Sequence, residues 1–185
     1  MLPEISLNIL DIAQNSIAAD ATWIEIKVEK DTSDHTLSVT ITDNGKGMSQ
    51  ENLQRVTDPF YTTRTTRNVG LGIPFFKQEA ECTGGTFSIH SEIGRGTCVK
   101  AVFVTSHIDC MPLGDVNATI HSLVTMNGTI DFYYEYRVDD ALFHLDTREM
   151  REILGNVPFY QPEVSGFIRE YLEENETEVN KNIRM

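Results

Sequence analysis

The sequence predicts an α+β fold: a two-layer sandwich with helices on one face of a mixed sheet, followed by a small C-terminal α/β extension. Three observations predict it. Ile5, Ile9, Ile12, Ala13 and Ile17 recur at helical spacing and mark a core-facing stripe. Residues 22–29 and 36–42 alternate apolar and polar, the pattern of half-buried strands. Finally, residues 5–105 run in the order helix, two strands, helix, short loop, helix, two strands, which suits helices layered on a sheet. The signals weaken past Ser106, so the chain divides into a first domain over 1–105 and an extension over 106–185.

Each element has a local reason. Pro3 precedes the first helix, where a helical first turn tolerates it. Ile24, Ile26 and Val28 face one way and Glu25, Lys27 and Glu29 the other. The polar run Asp31-Thr32-Ser33-Asp34 then turns the chain into the second strand, as in a hairpin. Ser49 is placed to cap a short helix through Val56, and Pro59 ends it by steering Asp58 away from helical geometry.

Residues 65–70 form a polar connection ending in glycine, read as a flexible lid. Leu71 to Thr83 is helical, with Pro74 in its first turn and Gly84-Gly85 as a stop. Strands follow at 86–92 and 97–105, joined through Ile93-Gly94-Arg95-Gly96. In the extension, Asp115 can cap a helix through Met126, and 130–144 reads as a hairpin broken at Asp139-Asp140. Helices are expected over 147–154 and 163–174, with a polar, frayed tail from Asn175.

The charge balance excludes some partners. The chain carries net −13, divided as −4 over residues 1–105 and −9 over 106–185. A nucleic-acid binder needs a basic stripe to meet phosphates, and an anionic membrane surface needs the same; neither partner is expected. Cys82, Cys98 and Cys110 are odd in number and lack metal-ligand spacing, so they read as free thiols in a reducing compartment. No charged leader opens the sequence and no stretch is long and apolar enough to span a bilayer. A cytoplasmic protein is expected.

Two stretches concentrate chemistry. Asn8, Asp11 and Asn15 fall three and four apart, so three short polar groups share one helix face beside a buried stripe. Asp43-Asn44-Gly45-Lys46-Gly47-Met48 follows an alternating strand and is answered by Gly70-Leu71-Gly72. A carboxylate and glycines at the end of a buried strand mark a place where backbone approaches something closely.

In order along the chain, Asp11-Ile-Ala-Gln-Asn15, Asp43-Asn-Gly-Lys-Gly47, Asp58-Pro-Phe-Tyr-Thr-Thr-Arg64, Gly70-Leu-Gly72 and Gly94-Arg-Gly-Thr97 resemble the four boxes of the GHKL superfamily. That superfamily unites gyrase-type, heat-shock chaperone, histidine kinase and mismatch-repair ATPases. The resemblance covers residues 5–105 and is most similar to the ATP-binding domain of histidine kinases, which implies a Bergerat-type fold. It implies ATP binding by Asn15, Asp43, Gly45, Gly47, Met48, Phe60, Arg64, Gly70, Leu71, Gly72 and Thr97, with Asn15 as the protein's ligand to Mg²⁺.

The residues suit these roles and also have plainer readings. Asp43 can accept from the exocyclic amine of adenine, where guanine would present a repelling carbonyl oxygen; it could equally be an Asx-turn residue. Gly45 and Gly47 would admit the base, and the resemblance places the Thr97 hydroxyl in the same network, although a strand threonine needs no ligand. Gly70 and Gly72, opening a helix, offer N–H groups to phosphate. Arg64 and Arg67 could neutralise phosphate charge or be surface charge, and Phe60 and Tyr61 pack under the lid. Family members that need a general base carry Glu where this chain has Asp11, one methylene shorter. Asp11 is read as that base or as an orienter of Mg²⁺-bound water, against a passive surface role.

Together these imply an Mg²⁺·ATP-dependent kinase or ATPase, resembling a free-standing histidine kinase-like catalytic domain. It would act on a separate protein partner or phosphoacceptor in signalling. The helical hairpin that would bear an accepting histidine is not expected, since the motif helix starts almost at Met1. An ATP-gated binding module with little turnover is the alternative, and a homodimer is left open.

Overall fold

The computed structural model describes residues 4–57 and 72–181. Helix α1 (Ile5–Ala18) leads to strands β1 (Trp23–Asp31) and β2 (Thr36–Asp43), then helices α2 (Gln50–Val56) and α3 (Gly72–Cys82). Strands β3 (Thr86–Glu92) and β4 (Gly96–Val104) follow. The remainder contributes α4 (Val116–Met126), β5 (Asp131–Val138), β6 (Ala141–Asp146), α5 (Thr147–Leu154) and α6 (Pro162–Lys181). All six strands form one sheet in the order β3-β4-β2-β1-β5-β6. The β1–β5 pair is parallel and the other pairings are antiparallel, as expected of a mixed sheet.

Period-two alternation decides which face is covered. Ile24, Ile26 and Val28 of β1 are buried, as are Val39 and Ile41 of β2 and Phe132, Tyr134 and Tyr136 of β5. They join Ile5, Ile9 and Ile12 of α1, Phe76 of α3, Ile120 of α4 and Ile168 and Leu172 of α6 in a continuous core. The other face is polar, with Lys27 paired to Glu25 and Arg137 to Glu135. There, burial and a hydrogen bond donated to Glu135 push the Tyr133 phenol up to about 12.

The local signals act as expected. Asp31 Oδ1 accepts from the N–H groups of Ser33 and Asp34, closing the β1–β2 turn. Ser49 caps α2 through the Asn52 N–H, and Asp115 caps α4 through the Ala118 N–H. Asp139 takes φ +53° in the β5–β6 turn, and its carboxylate accepts from Thr32 in the neighbouring hairpin.

Two findings go beyond the sequence reading. The chain after Ser106 continues the same sheet through β5 and β6: β5 pairs with β1 from Trp23↔Asp131 to Lys30↔Val138. The second is a correction. The tail from Asn175 is not frayed, because α6 runs on to Lys181. Val179 is buried, Tyr136 donates its hydroxyl to Asn180, and Asn117 donates to Glu176. The polar face of α6 hides an apolar series at Val164, Ile168, Leu172 and Val179 that keeps helical spacing. Among the described residues, no helix is long and apolar enough to cross a membrane.

Candidate functional site

Helix α1 carries the polar face. No side chain caps its start; the Ile5 and Ser6 N–H groups donate instead to the carbonyls of Pro112 and Leu113 at 3.0 and 2.8 Å. Burial of Ile5, Ile9, Ile12 and Ala13 fixes its rotation. Asn8 is then fully buried, while Asp11 and Asn15 lie partly exposed further along. The Asn15 side-chain nitrogen is buried without a hydrogen-bond partner among the described residues.

Strand β2 delivers Asp43 beside this helix, 8% exposed. Its Oδ2 accepts the Ser16 hydroxyl at 2.5 Å, and its Oδ1 accepts the N–H groups of Gly45 at 2.9 Å and Thr97 at 3.2 Å. The next residue, Asn44, points away. Its Oδ1 accepts from the Thr22 and Trp23 N–H groups at 2.9 Å, pinning the start of β1.

The glycines have steric reasons. A Cβ on Gly45 would lie 2.7 Å from the Ala19 carbonyl oxygen, and one on Gly47, at φ +66°, would lie 2.0 Å from that of Glu92. Between them, the Lys46 N–H donates to Ala19 and its carbonyl accepts from Gly94. The motif loop is thus clamped between the end of α1 and the β3–β4 turn. Met48 donates its N–H to Ser91 Oγ, which shares a 2.8 Å hydrogen bond with Thr97 Oγ1. Asp43, Ser91, Gly96 and Thr97 line a shallow concavity with Thr42 and Cys98.

Gly72 opens α3 directly against Asp11, where a Cβ would fall 2.1 Å from Asp11 Oδ2. Asp11 and Gly72 thus meet between α1 and α3, while Asp43 gathers Gly45 and Thr97, and Met48 reaches Thr97 through Ser91, at the end of β2; Asn15 lies on α1 next to Ser16, which bonds Asp43. Phe60, Arg64, Gly70 and Leu71, with Tyr61 and Arg67, lie outside the described residues. Sequence reasoning missed Ser16, Asn44 and Ser91. Ser16 had a signal, since it extends the stripe of Ile9, Ile12 and Ala13 at helical spacing and is a polar residue at a buried position. Asn44 and Ser91 had none, because their partners are set by tertiary contacts.

No group of three or more His, Cys, Asp or Glu among the described residues could hold a metal ion by itself. The chemistry fits a cation that takes few protein ligands. Mg²⁺ commonly keeps several waters and binds substrate phosphates; such an ion would take the oxygen of the Asn15 amide, while its buried, unpartnered nitrogen can only donate, as to a phosphate oxygen.

One-face helical layering over a mixed sheet, with an acid at the end of β2 facing a polar helix, defines this chain as a Bergerat-type sandwich, the fold of GHKL ATPases. It belongs to the histidine kinase-, DNA gyrase B-, and HSP90-like ATPase family, whose model matches residues 1–107. Over 108 residues it is 33% identical to the sensor protein kinase FleS of Pseudomonas aeruginosa, covering 58% of this chain and 26% of that protein. Over 94 residues it is 32% identical to sporulation kinase B of Bacillus subtilis, covering 49% and 21%. The chain spans only about a quarter or less of the length of the curated relatives it matches. The MutL ATPase domain of Aquifex aeolicus complexed with ADP superposes with a TM-score of 0.54 at 13% identity, over 83% of this chain and 70% of that one, a likeness of fold.

Proposed function

We propose that this chain binds Mg²⁺·ATP between α1, the end of β2 and the start of α3, and transfers phosphate to a separate protein as a histidine kinase-like catalytic domain. The observation that carries the reading is the bonding of Asp43. An ionised carboxylate offers about four acceptor positions. Ser16, Gly45 and Thr97 occupy three of them. The one left suits the exocyclic amine of adenine; Gly45 and Gly47 serve the loop itself, since their Cβ positions are taken by the Ala19 and Glu92 carbonyls and not by the base. Asn15 would hold Mg²⁺, which when bound neutralises phosphate charge. Asp11 stands four residues before Asn15 on the same face, where it can take a proton from an attacking hydroxyl or orient water. Gly70, Gly72 and Arg64 would serve the phosphates, and Met48, Phe60, Leu71 and Thr97 would enclose the nucleotide.

One observation favours the second reading, an ATP-gated binding module. The start of α1 is bonded to Pro112 and Leu113, and α4 packs on α1. A ligand that shifts α1 would be felt in residues 106–185.

The test is a titration with Mg²⁺·ATP followed by calorimetric melting. Binding is expected in the wild type and lost in Asp43→Asn, which replaces one acceptor by a donor. Equal binding by both proteins removes the adenine assignment. Phosphate from γ-labelled ATP is then sought on proteins of a cell extract. Label that depends on Asp11 supports transfer; binding without label or ADP supports the gated module.

A further inference from the structure

Asn8 is the member of the polar helix face that the site leaves unused. It is fully buried, and its Nδ2 donates to Glu79 Oε2 at 2.5 Å, a carboxylate on α3 that is itself 8% exposed. Buried apolar residues share both helices with this pair: Ile5, Ile9 and Ile12 on α1, Phe76 and Ala80 on α3. Asn8 Oδ1 has no hydrogen-bond partner among the described residues. A buried polar pair of this kind contributes little to stability compared with apolar side chains of similar volume. What it does supply is register, since sliding either helix would break a buried, charge-assisted hydrogen bond.

The register in question is that of the site. Asn8 and Asp11 share a face of α1, and Glu79 lies seven residues, about two turns, from Gly72 on one face of α3. The two helices therefore meet at two levels, Asn8 on Glu79 and Asp11 on Gly72, running in opposite chain directions. Asn15 lies one turn beyond, past the start of α3. Only the absence of a side chain at Gly72 admits the Asp11 carboxylate, and only one height of α3 puts Gly72 there.

We infer that Asn8 and Glu79 are positioning residues: their hydrogen bond locks the height of α3 against α1 and so sets the distance of the α3 N-terminus from Asp11 and Asn15. This rests on the nucleotide reading above. Neither residue touches ligand; they act through the placement of α3.

The test uses the full chain with Asn8→Leu/Glu79→Leu, apolar at both ends, beside Glu79→Gln, whose amide oxygen still accepts from Asn8. Asn8→Ala/Glu79→Ala replaces the leucine pair if that protein does not melt cooperatively. Two quantities are read, amide exchange at residues 76–78, the first fully hydrogen-bonded turn of α3, without nucleotide, and affinity for Mg²⁺·ATP. In the double variant, exchange is expected to rise and ATP affinity to fall, each by about tenfold or more. Glu79→Gln is expected to stay within about twofold of wild type in both, because a hydrogen bond remains. Unchanged exchange in the double variant overturns the lock. Faster exchange with unchanged affinity overturns the positioning role. A wild-type protein that binds no ATP overturns the nucleotide reading instead, and exchange at 76–78 still decides the lock.

Discussion

Ser16 donates its hydroxyl to Asp43 Oδ2 across the junction of α1 and the end of β2, and both side chains are buried. This bond joins the helix that bears Asp11 and Asn15 to the strand that bears the acid, so two motifs far apart in sequence act as one rigid corner. Ser16→Ala removes a donor from a buried carboxylate and is expected to cost about 1.5–3 kcal/mol of stability. Mg²⁺·ATP affinity should fall with it, since Asp43 would keep only its two backbone donors. Calorimetric melting and an ATP titration check both; unchanged values in each would make Ser16 a bystander.

The division after residue 105 meets a sheet that crosses it. Cutting there removes β5 from β1, uncovers Ile24, Ile26 and Val28 on one side, and leaves the first N–H groups of α1 without Pro112 and Leu113. Losses of this kind are expected to exceed the roughly 5–15 kcal/mol that keeps a domain folded. A fragment of residues 1–105 should therefore aggregate or melt without cooperativity. A soluble fragment with a cooperative transition would instead establish two separable domains.

Acid and base should act on α6 through Glu176. Burial first, and then the charge of Asp115, raise its carboxyl above the ordinary value of 4.5, while the hydrogen bond from Asn117 works the other way. Tyr134 and Tyr136 from β5 face it as well, and no cation among the described residues contributes to the shift. A raised value means that the folded state holds the proton more tightly. Its stabilising contribution is therefore complete below 4.5 and disappears as pH rises through the raised value. Melting of wild type and Glu176→Gln across that range should show a decline with pH that is steeper in wild type. Parallel slopes would remove Glu176 as the source.

Much of this was legible in the sequence because the signals are local. The stripe Ile5-Ile9-Ile12 states a helix with one buried face, the β1 and β2 alternation states strands, and Ser49 and Asp115 cap the helices they precede. The same stripe carried a hint that went unread, since Ser16 occupies a buried helical position with a polar side chain. The extension of α6 was illegible for the opposite reason. Its last turns are polar in composition, and they are held by the burial of Val179 and the contacts of Glu176 and Asn180.

By itself, then, the sequence determined the α+β class, the order of the elements, the family and the motif residues, because periodicity, caps and turn glycines depend on neighbours within a few positions. Tertiary structure alone decided that the chain after Ser106 completes the sheet through β5 and braces α1. It also decided that Ser16 and Thr97 meet at Asp43, and that Asn8 answers Glu79. Those relationships join groups 27, 54 and 71 residues apart, and only the packing of the helices on one sheet brings them within reach of a hydrogen bond.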